Sequence, residues 1–169
     1  MPDLEPWSRR PAEEANLFNP PFLCALMHEY LKEFSKDNDE GSSIFLVTLA
    51  LAIILHRASR DRLPYSTVTP MYAWVQQNED LLVGFAQRAK NIGPYVREAA
   101  MFGLASMTLR SSVGWNLLPG EKKATFAKSF LEEATTEMRN IVDRSRFIGR
   151  WMAKSGSEVS IAAALGVRP

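Results

Sequence analysis

The sequence contains one cysteine, Cys24, and two histidines, His28 and His56. A lone cysteine allows no intrachain disulfide, and this usage fits a reducing compartment. The same scarcity excludes a structural zinc site, which takes four Cys or His ligands. We interpret Cys24 and His28 as packed residues of an amphipathic helix and His56 as a packed or capping residue at a helix end. The sequence therefore predicts neither a metal nor another cofactor.

The sequence also lacks an excess of charge of one sign and lacks long apolar runs. The formal net charge is +1, so total charge does not indicate a nucleic acid or a membrane surface as a partner. The apolar run Ile44–Leu55 falls short of the roughly 20 residues that a membrane-spanning helix needs. Residues 1–14 are rich in acidic side chains and lack the apolar segment of a signal peptide. We therefore expect a soluble cytoplasmic protein that makes no membrane contact.

No motif of an enzyme is present. No serine lies in a Gly-x-Ser-x-Gly turn. Gly114 and Gly120 resemble a phosphate-binding loop only loosely, because their spacing is too long and Glu121 stands where the lysine belongs. The sequence therefore predicts a non-enzymatic protein.

The run Ile44–Leu55 is instead predicted to be a helix buried on nearly all sides, because an apolar surface all round leaves no face for water. Ser42 and Ser43 precede it as N-cap candidates. Its β-branched residues leave a buried strand as the alternative. Before it, Asn19 and Pro20 are typical of a helix start, and apolar residues at three- and four-residue spacing predict a helix over about 21–35.

Further along, three helices are predicted over about 67–75, 78–90 and 95–106, with Gly93-Pro94 separating the last two. Period-two residues from Met107 to Leu117 then predict a small β-hairpin. Three helices followed by a hairpin is the order of a winged helix. The predicted fold class is thus mainly α, a helical domain with a winged-helix-like centre and one small β-hairpin. We predict an N-terminal arm over 1–12 and a single α-rich domain over 13–169, with a long C-terminal helix over about 124–154.

A winged helix raises DNA binding by a stand-alone regulator as an alternative function. The helix in the recognition position, over about 95–106, offers only Arg97 and Glu98 among apolar residues. An interaction module is therefore favoured. The segment Arg146-Phe147-Ile148-Gly149-Arg150-Trp151 has the composition of an interface hot spot, with aromatic residues and arginines around a glycine that admits another backbone. The alternative is that this segment holds the long helix against the core.

Several stretches together resemble a known family. They are 14–20 (EANLFNP), 45–56, 73–78 (AWVQQN), 82–89 (LVGFAQRA), 94–99 (PYVREA), 149–151 (GRW), 156–157 and 165–169 (LGVRP). Taken together they are similar to the middle component of the three-component ABC ATPase systems of prokaryotes. The resemblance extends over the chain from about residue 13.

The resemblance implies a non-enzymatic subunit that accompanies an ABC ATPase of the SMC/Rad50 type and an effector, often a nuclease. Such systems, to which the Lamassu type is related, are regarded as defences against phages and plasmids. The middle component is expected to link the ATPase to the effector and to reach DNA only through the complex. We expect the partner-binding surface at Arg146, Phe147, Gly149, Arg150 and Trp151, together with the terminal residues Gly166, Arg168 and Pro169.

Overall fold

The computed structural model describes residues 4–168, and of Trp7 and Leu17 it describes the backbone alone. The chain is mainly helical with one two-stranded antiparallel hairpin. The elements in chain order, after a 3-10 turn at Trp7–Arg9, are α1 (Ala12–Leu17), α2 (Pro20–Phe34), α3 (Ile44–Ile54), α4 (Arg57–Asp61), α5 (Met71–Gln77), α6 (Glu79–Leu82), α7 (Phe85–Ala105), β1 (Leu109–Ser111), β2 (Leu117–Pro119), α8 (Lys128–Glu133), α9 (Thr136–Ala153) and α10 (Glu158–Ala164). Among the helices of the described residues, none is both long and apolar enough to cross a membrane.

The apolar run forms helix α3, as predicted, and the strand alternative is excluded. Ser43 caps α3, since its side-chain oxygen accepts a hydrogen bond from the backbone N–H of Leu46 at 3.1 Å. The residues from Leu46 to Ile54 are buried apart from Thr48, because α3 packs against α7 and α9. Helix α2 packs against the same two helices, so α2, α3, α7 and α9 enclose the core.

The predicted break at Gly93-Pro94 is wrong, because both residues lie inside the 21-residue helix α7. A proline removes one backbone donor and disfavours helical backbone at the residue before it, through a clash with that residue's N–H and Cβ. Gly93 has no Cβ, so the Cβ part of the clash is absent. Ile92 and Val96 are buried on either side of the pair and hold the helix against the core through this point.

The hairpin is confirmed, with Leu109 opposite Pro119 and Ser111 opposite Leu117. Its second strand also pairs with the residues before α3. Leu117 donates its N–H to the carbonyl of Ser42 at 2.8 Å, and Ser42 donates back at 3.0 Å. The winged-helix arrangement is not confirmed. The predicted second helix is divided at Val83 and Gly84, where Gly84 is left-handed (φ 72°), so its first turn is α6 and its remainder continues with the predicted recognition helix as the single helix α7.

The predicted long helix over 124–154 is interrupted. Helix α8 ends at Glu133, Ala134 is extended (ψ 155°), and α9 begins at Thr136. Thr135 stops the periodic pattern because its side chain caps α9, accepting from the N–H of Met138 at 3.2 Å. The strongly packed part of the predicted helix is therefore α9 alone.

In its described part, the predicted N-terminal arm is attached to the domain. The Arg10 guanidinium donates to both carboxylate oxygens of Glu98 on α7, at 2.7 and 2.8 Å. Its Nε also donates to the carbonyl of Glu5 at 2.7 Å. A bidentate pair of this kind fixes orientation as well as distance.

Candidate functional site

The predicted binding segment Arg146–Trp151 lies on the face of α9 that packs into its own domain. Phe147 and Trp151 are 6% and 1% exposed. An ideal Cβ at Gly149 would lie 3.2 Å from the carbonyl carbon of Tyr30 and 3.1 Å from the Cβ of Glu33, with the Tyr30 oxygen closer still. The backbone that this glycine admits is therefore that of α2 in the same chain. Partner binding by these residues stays a prediction.

The two arginines of the segment bind carboxylates of α2. Arg146 donates to both oxygens of Glu29, at 2.7 and 3.1 Å, and Arg150 donates to Glu33 at 3.1 Å. Burial by itself raises the pKa of Glu33, but hydrogen bonds from Lys36 and Arg150 lower that pKa below its ordinary value. Both carboxylates are thus held as partners of α9.

The indole of Trp151 connects α9 to α5. It stacks on Phe147 with ring centroids 6.0 Å apart and meets Trp74 of α5 edge to face at 5.5 Å. Its Nε1–H donates to the carbonyl of Thr69, in the loop before α5, at 2.7 Å. The tryptophan therefore fixes both a helix and the loop that precedes it.

Two more side chains hold the same loop, residues 62–70, which we call the clamped loop. Trp74 donates its Nε1–H to the carbonyl of Arg62 at 2.7 Å. Arg144 of α9 donates to the carbonyl of Pro64 at 3.1 Å. Three backbone carbonyls along the loop are therefore bound by side chains from α5 and α9.

The clamped loop displays apolar side chains to solvent. Tyr65 is 98% exposed, Val68 is 85% exposed, and Tyr72 in the first turns of α5 is 65% exposed. We call these three residues the loop surface. A groove of about 570 Å³ runs from Val68 and Tyr72 to the small residues of α10. Exposed large side chains of this kind make the loop a candidate interaction surface.

Sequence reasoning missed the loop surface, although the sequence carries a signal for it. No charged residue occurs between Arg62 and Glu79, and two tyrosines lie in that stretch. Depletion of charge with enrichment in tyrosine is typical of the core of a protein interface.

The predicted C-terminal residues lie at the end of α10. Gly166 has a left-handed backbone (φ 67°), and the N–H of Val167 donates to the carbonyl of Ala162 at 2.9 Å, which closes the helix end. Arg168 is exposed, and Pro169 lies outside the described residues. Their part in partner binding stays a prediction.

A cavity of about 830 Å³ lies between the N-terminal segment, the end of α3 and α7. Several of its polar groups are bonded within the chain: Tyr95 donates to Glu14 at 2.6 Å, and the terminal nitrogens of Arg88 donate to the carbonyls of Leu81 and Val83 at 2.8 and 3.0 Å. The Nε of Arg88 is buried without a hydrogen-bond partner among the described residues. Burial and the bond to Glu14 raise the pKa of Tyr95 to about 12. These groups brace α7 against its neighbours.

The chemically reactive residue types are placed as predicted. Cys24 is buried, 3.1 Å from the hydroxyl of Thr108, and burial raises the pKa of its thiol. His28 is buried, and His56 caps α4 by accepting from the N–H of Ser59 at 3.4 Å. Within residues 4–168 no cluster of three or more metal-ligating side chains occurs.

Comparison with protein families shows the family of the chain, which the geometry of the site does not indicate. The family described as ABC-three component (ABC-3C) system Middle Component 3 matches residues 7–169. The chain belongs to this family. No curated protein and no solved structure matches it. The protein is thus a middle component of an ABC-3C system, as its sequence resemblance implied.

Proposed function

We propose that this middle component is a non-enzymatic adaptor that links an SMC/Rad50-like ABC ATPase to an effector, often a nuclease. The observation that carries the proposal is the family assignment over residues 7–169, which places the chain in a three-component system. In this proposal the adaptor restrains the effector until foreign DNA is sensed, so the system acts in defence against phages and plasmids. ATP hydrolysis and DNA cleavage belong to the partners, and the adaptor meets DNA only through the complex, in the cytoplasm.

The exposed apolar residues support a role in protein binding. A connector needs accessible surface that is suited to other proteins, and the loop surface has this character: it is aromatic and lies in a stretch without charged residues. The side chains that hold this surface in place come from helices α5 and α9. Such a surface orders few groups on binding, and this favours affinity.

The rival function, a DNA-binding regulator, has less support. The stretch predicted as its recognition helix is the second half of α7, and the large side chains that it exposes are the apolar Met101, Phe102 and Leu104, with Arg97 as its single cation. Apolar side chains do not neutralise phosphates, which supply much of the affinity for DNA. A protein-facing role therefore suits this part of α7 better.

Co-expression tests the proposal directly. The chain is expressed with the ATPase and the effector encoded beside it, and the complex is purified through a tag on the ATPase. We expect the chain to be retained at low salt and at high salt. If it elutes alone at both, the adaptor function is refuted. A mobility-shift assay with the isolated chain serves as the comparison, because a regulator binds a specific duplex with a steep dependence on salt.

A further inference from the structure

We infer that the cavity between the N-terminal segment, the end of α3 and α7 binds an apolar organic anion, with the anionic group at Arg88 and His56 and the apolar part along α7. The cavity measures about 830 Å³, which is within the usual size of a small-molecule site. Its ligand is separate from the proposed adaptor function, and the chain alone is enough to test for it.

Arg88 is a cation without a counter-charge. Its terminal nitrogens donate to the neutral carbonyls of Leu81 and Val83, and its guanidinium carbon lies 5.6 Å from the ring centroid of Phe85. Among the described residues no carboxylate pairs with Arg88, and burial alone lowers its pKa. Each terminal nitrogen carries a second N–H that these two carbonyls do not use. A partly buried guanidinium without an anion is costly, and a bound anion would remove that cost.

The surroundings of Arg88 add positive potential. Arg88 lies in the first turn of α7, which contains no acidic residue, so the helix dipole acts in the same direction. His56 lines the same cavity, and burial, followed by the charge of Arg88, lowers the pKa of His56. Because its Nδ1 accepts from the N–H of Ser59, the neutral imidazole carries its proton on Nε2, which is a donor. The cavity therefore offers an anion two neighbouring donor groups.

The other polar groups of the cavity are balanced within the chain. Arg10 pairs with Glu98 at 2.7 Å, and Glu14 accepts from the Tyr95 hydroxyl at 2.6 Å. Glu5 also lines the cavity, but it is exposed, so water screens its charge. Tyr95 lies two turns along α7 from the unpaired cation, a distance of about 10 Å. The positive potential is thus concentrated at the Arg88 end.

Apolar side chains line the cavity along these two turns. Ile92 lies between Arg88 and Tyr95 on α7, and Leu55 comes from the end of α3. Phe18 stacks on Tyr95 with ring centroids 4.5 Å apart. An inorganic anion would leave these walls in contact with water, and an uncharged molecule would leave the cation unpaired. A ligand with one anionic group and an apolar body about 10 Å long satisfies both.

Two fluorescent probes test the site on the isolated full chain, anilinonaphthalene sulfonate and phenylnaphthylamine. The two probes have the same rings, and the first adds an anionic group. We expect the sulfonate probe to bind with a stoichiometry near one per chain and about tenfold more tightly than the neutral probe. A hydrogen bond to a charged group accounts for a difference of this size.

Substitution of Arg88 assigns the site. Arg88→Met should weaken binding of the sulfonate probe about tenfold and change binding of the neutral probe less than about twofold. Arg88→Lys keeps the charge and should stay within about threefold of the wild type for both probes. Arg110→Met is the matched control, because this exposed arginine of β1 lies outside the cavity and the same charge is lost. Both affinities should then stay within about twofold.

The inference is overturned if the wild type binds neither probe or binds both equally well. It is also overturned if Arg88→Met binds the sulfonate probe as the wild type does, or if it loses both probes equally, since Arg88 then only shapes the cavity. Melting curves show whether each variant is folded, and the comparison of the two probes on the wild type stands even if Arg88→Met unfolds. Failure of the adaptor function is seen only with the other components present, so the two failures are distinguishable.

Discussion

Replacing Gly149 by alanine tests whether the predicted hot-spot segment packs inside the domain or binds a partner. At this position α9 crosses α2, and an added Cβ would overlap the carbonyl group of Tyr30 and touch the Cβ of Glu33. The Tyr30 carbonyl belongs to the helix backbone and the Glu33 Cβ is fixed directly to it, so neither can rotate away. The two helices must therefore separate, and separation also stretches the ion pair between Arg146 and Glu29.

The expected magnitude follows from two opposing effects. Alanine favours the helix over glycine by about 1 kcal/mol. Overpacking a close helix contact costs about 1–3 kcal/mol, and a gap opened along the rest of the contact forfeits part of its dispersion energy. We expect a net loss of about 2 kcal/mol in the free energy of unfolding, a large share of the roughly 5–15 kcal/mol of a typical domain.

Urea denaturation measures this loss as a lower midpoint with an unchanged slope. Gly103→Ala is the comparison, because its Cβ would meet side-chain atoms, Leu109 Cδ1 at 2.6 Å and Cys24 Sγ at 2.9 Å. Side chains adjust more readily than backbone, so this variant should lose less, about 1 kcal/mol. A Gly149→Ala protein as stable as the wild type that fails to join its partners would refute the internal role and restore the predicted interface.

Three further predictions concern buried polar groups. Burial lowers the pKa of His28, so the unfolded chain binds a proton at higher pH than the folded chain, and the stability that neutral His28 provides is complete above a pH of about 6.5 and declines below it. His28→Gln should therefore flatten the decline of the urea midpoint at low pH, and an unchanged decline would exclude this histidine as its cause. Arg60 is 2% exposed and donates to the carbonyl of Ile54 and to the exposed Glu137. Calorimetry should show that Arg60→Met lowers the free energy of unfolding by about 2–3 kcal/mol and that Glu137→Gln lowers it by under about 1 kcal/mol. Trp151→Phe removes the donor to the clamped loop, and amide exchange there should accelerate about tenfold, with unchanged rates contradicting the clamp.

Local signals in the sequence were sufficient for the starts of several helices. The side chain of Asn19 accepts from the N–H of Phe22, and Ser43 caps α3 in the same way. Capping depends on residues within one turn, so a single sequence contains all the information that is needed. The signal for the burial of α3 is equally local, because apolar residues on all sides of a helix predict that it is buried on all sides.

Non-local contacts explain what the sequence did not indicate. Arg146 and Glu29 are 117 positions apart, so nothing near the segment shows that its arginines are already paired. A hot-spot composition indicates that the residues will be buried in a contact, but it does not indicate whether the contact lies within the chain or with a partner. In the same way, Gly93-Pro94 is a helix boundary by local rules, and the packing of Ile92 and Val96 overrides it.

The position of α9 has a consequence for how binding data on this protein are interpreted. One face of α9 packs on α2 through Gly149, while Arg144 and Trp151 hold the clamped loop. A change at Trp151 removes core packing and a hydrogen bond to the clamped loop together, so a loss of partner binding in such a variant does not show that the indole touches a partner. Loss of affinity alone does not separate the two roles. Stability does, since truncating an exposed contact residue lowers affinity and leaves unfolding unchanged, whereas truncating the buried Trp151 lowers the free energy of unfolding.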